Sequence, residues 1–118
     1  MMPIFQLRQH TWTMARPVTV TIPHDIGREE TRRRIREGFG KLKSEISGGV
    51  PLSFEENWTN DDQLVFQAKG LGQKVQGKID IFPAHIRIEL ILPGFLASLA
   101  EIITGRLEQQ GQILLEKK

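Results

Sequence analysis

Residues 64–92 read Leu64-Val65-Phe66-Gln67-Ala68-Lys69-Gly70-Leu71-Gly72-Gln73-Lys74-Val75-Gln76-Gly77-Lys78-Ile79-Asp80-Ile81-Phe82-Pro83-Ala84-His85-Ile86-Arg87-Ile88-Glu89-Leu90-Ile91-Leu92. Side chains of an extended chain point alternately to the two faces, so a period of two marks a strand with one face buried. Three such runs are present. Leu64, Phe66 and Ala68 share one parity, then Val75, Gly77, Ile79 and Ile81, then Ile86, Ile88, Leu90 and Leu92. Gly70 to Gly72 and Pro83-Ala84 punctuate them as turns. Runs joined by connections this short are antiparallel neighbours, and their polar second face predicts a sheet that is wet on one side.

Working upstream, Leu52, Phe54 and Trp58 share a parity across Pro51 to Trp58, with Glu56 a charged residue at an inward position and Asn60-Asp61-Asp62 as the turn. Further back, Val18, Val20 and Ile22 alternate with Thr19 and Thr21, and Pro23 stops that strand. Asp25 is placed to cap a helix, with Glu29 and Glu30 near the positive end of its dipole. Within Gly27 to Ile46, Ile35, Phe39, Leu42 and Ile46 recur at helical steps and form one stripe. Gly38 and Gly40 each cost about 1 kcal/mol relative to alanine, so they either permit close packing or leave the helix marginal. Gly48-Gly49 ends it. Downstream of Leu92, Pro93-Gly94 opens a long helix with Leu96, Leu99, Ile103, Leu107, Gln110 and Leu114 on one stripe, widened by Phe95, Ile102 and Ile113. Gly105 and Gly111 are its soft spots.

The order is strand, helix, four antiparallel strands, long C-terminal helix. A sheet with one apolar face needs a cover, and two amphipathic helices supply it, so the expected fold is a two-layer α+β domain over residues 18–118. Residues 1–17, bracketed by Pro3 and Pro17 and without a sustained period, read as an N-terminal extension; Ile4, Phe5, Leu7 and Trp12 leave room there for an edge strand or a docking segment.

The 118 residues suit a single core. The absence of cysteine excludes a disulfide scaffold, a thiol nucleophile and Cys-ligated metal centres. Apolar runs stop at three residues, far short of the roughly 18 that span a bilayer, and the N-terminus has no secretory h-region, so the expectation is a cytoplasmic chain with no transmembrane segment. A net charge of +2 is too mild to define a partner.

The catalytic inventory is thin, and no enzyme, metal or cofactor is expected. His10, His24 and His85 lack any metal-ligand spacing. His24 beside Asp25 reads as a helix-entry turn rather than a dyad, because neighbours in an extended segment diverge. His85 reads as a solvated turn residue. Gly70-Leu71-Gly72 leads into a strand, which disqualifies it as a phosphate loop. Asn57-Trp58-Thr59 matches a glycosylation acceptor without a secretory signal beside it, and Asp61-Asp62 with Glu55-Glu56 reads as a solvated carboxylate cluster. The first helix concentrates positive charge: Arg28, Arg32, Arg33 and Arg36 form a candidate basic surface, with Arg34, Lys41 and Lys43 nearby. No aromatics interleave with them as a stacking platform would require, which argues against nucleic acid.

Val20-Thr21-Ile22-Pro23-His24-Asp25-Ile26-Gly27, the charged helix through Arg36, then Trp58, Leu64-Val65-Phe66, Gly70, Gly72, Val75-x-Gly77, Ile79 and Leu90-Ile91-Leu92-Pro93 with a closing helix resemble the bacterial polyhydroxyalkanoic acid system proteins. The resemblance covers about residues 18 to 115. It implies a role at polyester storage granules and supplies no reaction. The element order also resembles a reduced helix-grip fold, by analogy of architecture. On that likeness Phe54, Glu56, Trp58, Phe66, Ile88 and Leu90 form a candidate pocket for an acyl chain, with close-packed core as the plainer account. The expectation is therefore a non-enzymatic accessory protein bound to the granule or its coat proteins, with a hydrophobic-ligand carrier as the alternative.

Overall fold

A computed structural model describes residues 15–116, with the Phe95 side chain excepted. The extension read over residues 1–17 lies outside the described residues as far as residue 14, including its candidate edge strand and His10; its last residues are strand. Arg16 already pairs with Leu92, so β1 spans Arg16–Pro23. Pro17, which lacks an N–H to donate, is tolerated there because β1 lies at the sheet edge.

The alternating segments become β2 (Ser53–Asn60), β3 (Gln63–Gly70), β4 (Gln73–Ile81) and β5 (His85–Leu92). All neighbours are antiparallel in the order β1-β5-β4-β3-β2, with β1 closing against the last strand. The parity read from the sequence is the parity observed: Val18, Val20, Ile22, Leu64, Phe66, Ala68, Val75, Ile79, Ile81, Ile86, Ile88, Leu90 and Leu92 are all buried. Gly77 stands at an inward position opposite Phe66 and Leu90, and a Cβ there would fall 2.4 Å from Phe66 Cζ. Its missing side chain is the space that the phenyl ring occupies.

Helix α1 (Gly27–Ser47) buries Ile35, Phe39, Leu42 and Ile46 as their spacing predicts, and ends at Gly48 in the left-handed conformation. The N-cap position falls on Ile26, one residue after Asp25, and Ile26 has no side-chain capping bond. The C-terminal helix carries a separate first turn, α2 (Gly94–Ala97), before α3 (Ala100–Leu114). That break buries Leu96 completely and lets Leu96, Leu99 and Ile103 converge on Gly48. Ile102 and Ile113 do not widen the buried stripe; both lie on the outer face of α3, more than half exposed.

The two readings of the helical glycines separate by position. A Cβ at Gly38 would meet Leu114 Cδ1 at 2.5 Å and one at Gly111 would meet Ile22 Cδ1 at 2.2 Å, so these residues set the approach of α3 to α1 and β1. Gly40 and Gly105 face open space.

Candidate functional site

Each arginine of α1 has a destination. Arg28 lies 3.7 Å from the Asp62 carboxylate, and Arg32 Nε donates to the Asp61 carbonyl at 3.0 Å, which ties the first turns of the helix to the β2–β3 turn. That turn is itself fixed by Asn60 Oδ1, which accepts from the Asp62 N–H at 2.8 Å. Arg33 is held by Glu30 and by Glu37, the latter at 2.9 Å. The guanidinium of Arg36 lies over the Trp58 ring, 4.9 Å from its centroid. Arg34 pairs with Glu30 and donates to the carbonyls of Leu114 and Glu116, which binds the C-terminal end of the fold to α1. Hydrogen bonds from Arg33 and then Arg34 pull the Glu30 carboxyl down from its usual 4.5 to about 2, and the same contacts push the Arg33 guanidinium upward. The five arginines of α1 are thus each engaged within the molecule, although Arg28, Arg33 and Arg36 stay exposed.

The six candidate pocket residues do not share a cavity wall. Phe66, Ile88 and Leu90 are core residues at 5% exposure or less. Phe54 and Trp58 are half-buried under α1, where Phe39, Phe54 and Phe66 form a ring cluster with centroids 5.1 to 6.4 Å apart. Glu56 has the inward parity but lies on edge strand β2, where it is exposed and pairs with Lys43 of α1. An open groove of about 450 Å³ crosses β2 to β4, walled by Glu55, Glu56, Asn57, Val65, Phe66, Gln67, Gln76 and Gly77, so Glu56 and Phe66 of the six candidates border it. Glu55, Asn57, Val65, Gln67 and Gln76 have the parity of the face turned away from the helices.

His24 and His85 both pack around the β4–β5 turn. His24 is buried; its Nε2–H donates to the Phe82 carbonyl at 2.9 Å and its backbone N–H to Ala84, fastening the end of β1 to the β4–β5 turn. His85, expected to be solvated, is half-buried with its ring stacked on Phe82 at 4.6 Å. On the outer face of β4 and β5, Lys78, Asp80, Arg87 and Glu89 form a ring of alternating charge with contacts of 3.1 to 4.0 Å, neutral as a set. Among the described residues no three His, Asp or Glu side chains assemble as a metal site, and no helix is long and apolar enough to cross a membrane.

The turn read over Gly70 to Gly72 lies at the other end of β3. Leu71 and Gly72 form a two-residue hairpin loop with φ of 53° and 72°, as a type I′ turn requires. Asn, Asp or Gly normally fills its first position, because a branched side chain at positive φ is strained. Here it is a leucine, 70% exposed. Lys69 and Lys74 flank it, exposed and directly opposite each other in the β3–β4 register. The signal was readable as an apolar residue in a turn slot that disfavours it, bracketed by lysines.

No curated protein and no solved structure matches the chain. The family model described as that of the polyhydroxyalkanoic acid system proteins matches residues 18–115, from the first inward valine of β1 to the last buried leucine after α3, and the chain belongs to that family.

Proposed function

We propose that this chain is a non-enzymatic, cytoplasmic accessory protein of the polyhydroxyalkanoate storage system that binds the granule surface or its coat proteins. Membership of the polyhydroxyalkanoic acid system family carries the reading. Support for an outer contact over an enclosed acyl chain comes from the candidate pocket, whose members divide among the close-packed core, two half-buried aromatics under α1 and an ion-paired edge position. The test is co-sedimentation of the full chain with isolated granules at low salt, alongside native mass spectrometry of the same preparation. Pelleting with the granules and a bare protein mass are expected. A supernatant protein carrying a bound acyl chain would replace this reading with the carrier.

A further inference from the structure

We infer that the β3–β4 hairpin tip, Leu71 between Lys69 and Lys74, is an insertion device for an anionic phospholipid interface. The inference deepens the granule reading by naming a contact element and a surface chemistry, and it is testable without granules. Three observations converge on the tip. First, Leu71 places a whole side chain in solvent at 70% exposure and at φ 53°, a backbone region that costs a non-glycine residue energy and that the neighbouring glycines would adopt freely. Second, Lys69 and Lys74 oppose each other across the ladder, an arrangement that destabilises a sheet through like-charge repulsion. Third, among the described residues neither ammonium has a carboxylate partner, whereas the neighbouring Lys78 and the arginines Arg28, Arg33 and Arg34 all do.

None of these features helps the isolated domain. The backbone strain persists on docking, but the exposure and the charge become favourable at one kind of surface, where the leucine leaves water and the two ammonium groups meet phosphate headgroups. A protein partner would need an apolar socket ringed by carboxylates; a lipid interface supplies the apolar layer beneath the anionic one in the order in which the tip presents its groups. The location agrees. The arginines of α1 that contact Asp61 and Asp62 lie at the opposite end of β3, one eight-residue strand or about 26 Å away, so the tip is an independent element.

The experiment is sedimentation of the full chain with vesicles of phosphatidylcholine alone and of phosphatidylcholine with 30 mol% phosphatidylglycerol, the composition chosen as a probe. Wild type, Leu71→Gly and the double variant Lys69→Ala/Lys74→Ala are compared at low and high salt. Leu71→Gly relieves the strained φ, so loss of binding by it is not loss of fold; thermal melts of all three confirm this. The expected results are binding to the anionic vesicles only, weakened about tenfold or more by Leu71→Gly, weakened roughly 25-fold by the lysine pair, and released by salt. Equal binding by Leu71→Gly and wild type overturns the inference. So does wild-type protein that pellets with granules yet ignores anionic vesicles, an outcome that leaves the granule reading standing with a protein coat as the contact. Tip-dependent vesicle binding without granule binding sustains the inference and removes the granule reading.

Discussion

Changing Gly111 to alanine puts the packing between α3 and β1 to a direct test. A Cβ at that position would fall 2.2 Å from Ile22 Cδ1 and 3.4 Å from Cγ1, against an ordinary carbon contact of about 3.5 to 4.0 Å. Ile22 is fully buried, so its methyl group must move by more than an ångström within a filled interior. Overpacking of this kind costs about 1 to 3 kcal/mol. Alanine in place of glycine inside a helix returns about 1 kcal/mol, which leaves Gly111→Ala somewhere between neutral and about 2 kcal/mol destabilised. Gly105 supplies the control: it lies in the same helix with nothing within 4 Å of its would-be Cβ. The helix term is common to both, so the difference between Gly111→Ala and Gly105→Ala isolates the steric term at about 1 to 3 kcal/mol. Denaturant midpoints with a shared m-value measure it.

A second arm identifies the atom. Ile22→Val removes Cδ1, the atom that the new methyl meets, and on its own costs about 0.5 to 1.5 kcal/mol. In the Gly111→Ala background it should cost nothing or stabilise, since it vacates the contested volume; the two changes are coupled because they share one contact. Equal stabilities for Gly111→Ala and Gly105→Ala, with Ile22→Val costing the same in both backgrounds, would refute the close approach of α3 to β1.

Three further outcomes follow from the geometry. Leu71→Gly should raise stability by about 1 kcal/mol by removing a side chain from positive φ, seen as a higher melting temperature, and a fall would show that the leucine packs on the domain. Arg36→Ala should lower stability by about 0.5 to 1 kcal/mol and red-shift Trp58 emission in a Trp12→Phe background, because the guanidinium that covers the ring is gone; an unchanged spectrum contradicts the stacking. Glu30 has a folded-state pKa of about 2, lowered by its bonds from Arg33 and Arg34, so its stabilisation is complete above its usual 4.5 and is lost as pH falls through 2. The melting-temperature gap between wild type and Glu30→Gln should therefore close between pH 4.5 and 2, and a gap independent of pH in that window would disprove the pairing.

The sheet was legible because a period of two survives translation into burial residue by residue, and the stripe Ile35, Phe39, Leu42, Ile46 gave α1 its inward face for the same reason. What hydropathy could not report was position across the sheet. Glu56 has inward parity, yet β2 is an edge strand, so its carboxylate reaches solvent and Lys43. Nor does composition show where charges end: Arg28 and Arg32 looked available until the fold brought the β2–β3 turn beneath them, 29 residues along the chain in the case of Arg32 and Asp61. The same blindness hid the glycines, since Gly38 and Gly40 differ only in what a Cβ would meet, and that is a tertiary fact. At Leu71 the reason is different: the flanking Gly70 and Gly72 already account for a turn in the sequence, and only the backbone shows that the leucine itself takes a positive φ.

These displacements change which end of the molecule bears on function. Charge used internally is poor bait for a partner, because an arriving anion must compete with a carboxylate already in place and gains only the difference. Arg28, Arg33 and Arg34 are in that position, and Arg32 and Arg36 are engaged by a carbonyl and an indole. At the β3–β4 tip the balance reverses: two lysines oppose each other and a leucine side chain stands in water, so an anionic interface would relieve the repulsion and the exposure that the free domain carries. Ranked by the free energy a partner could recover, the hairpin tip outweighs the more conspicuous basic helix. The neutralised triple variant Arg28→Gln/Arg32→Gln/Arg36→Gln should accordingly weaken the joint between α1 and the β2–β3 turn. Its vesicle binding should stay within about twofold of wild type at about 0.15 M salt, where charges about 26 Å away are screened over a Debye length of about 8 Å. Loss of vesicle binding by that variant, with its melting temperature unchanged, would return the contact surface to the helix.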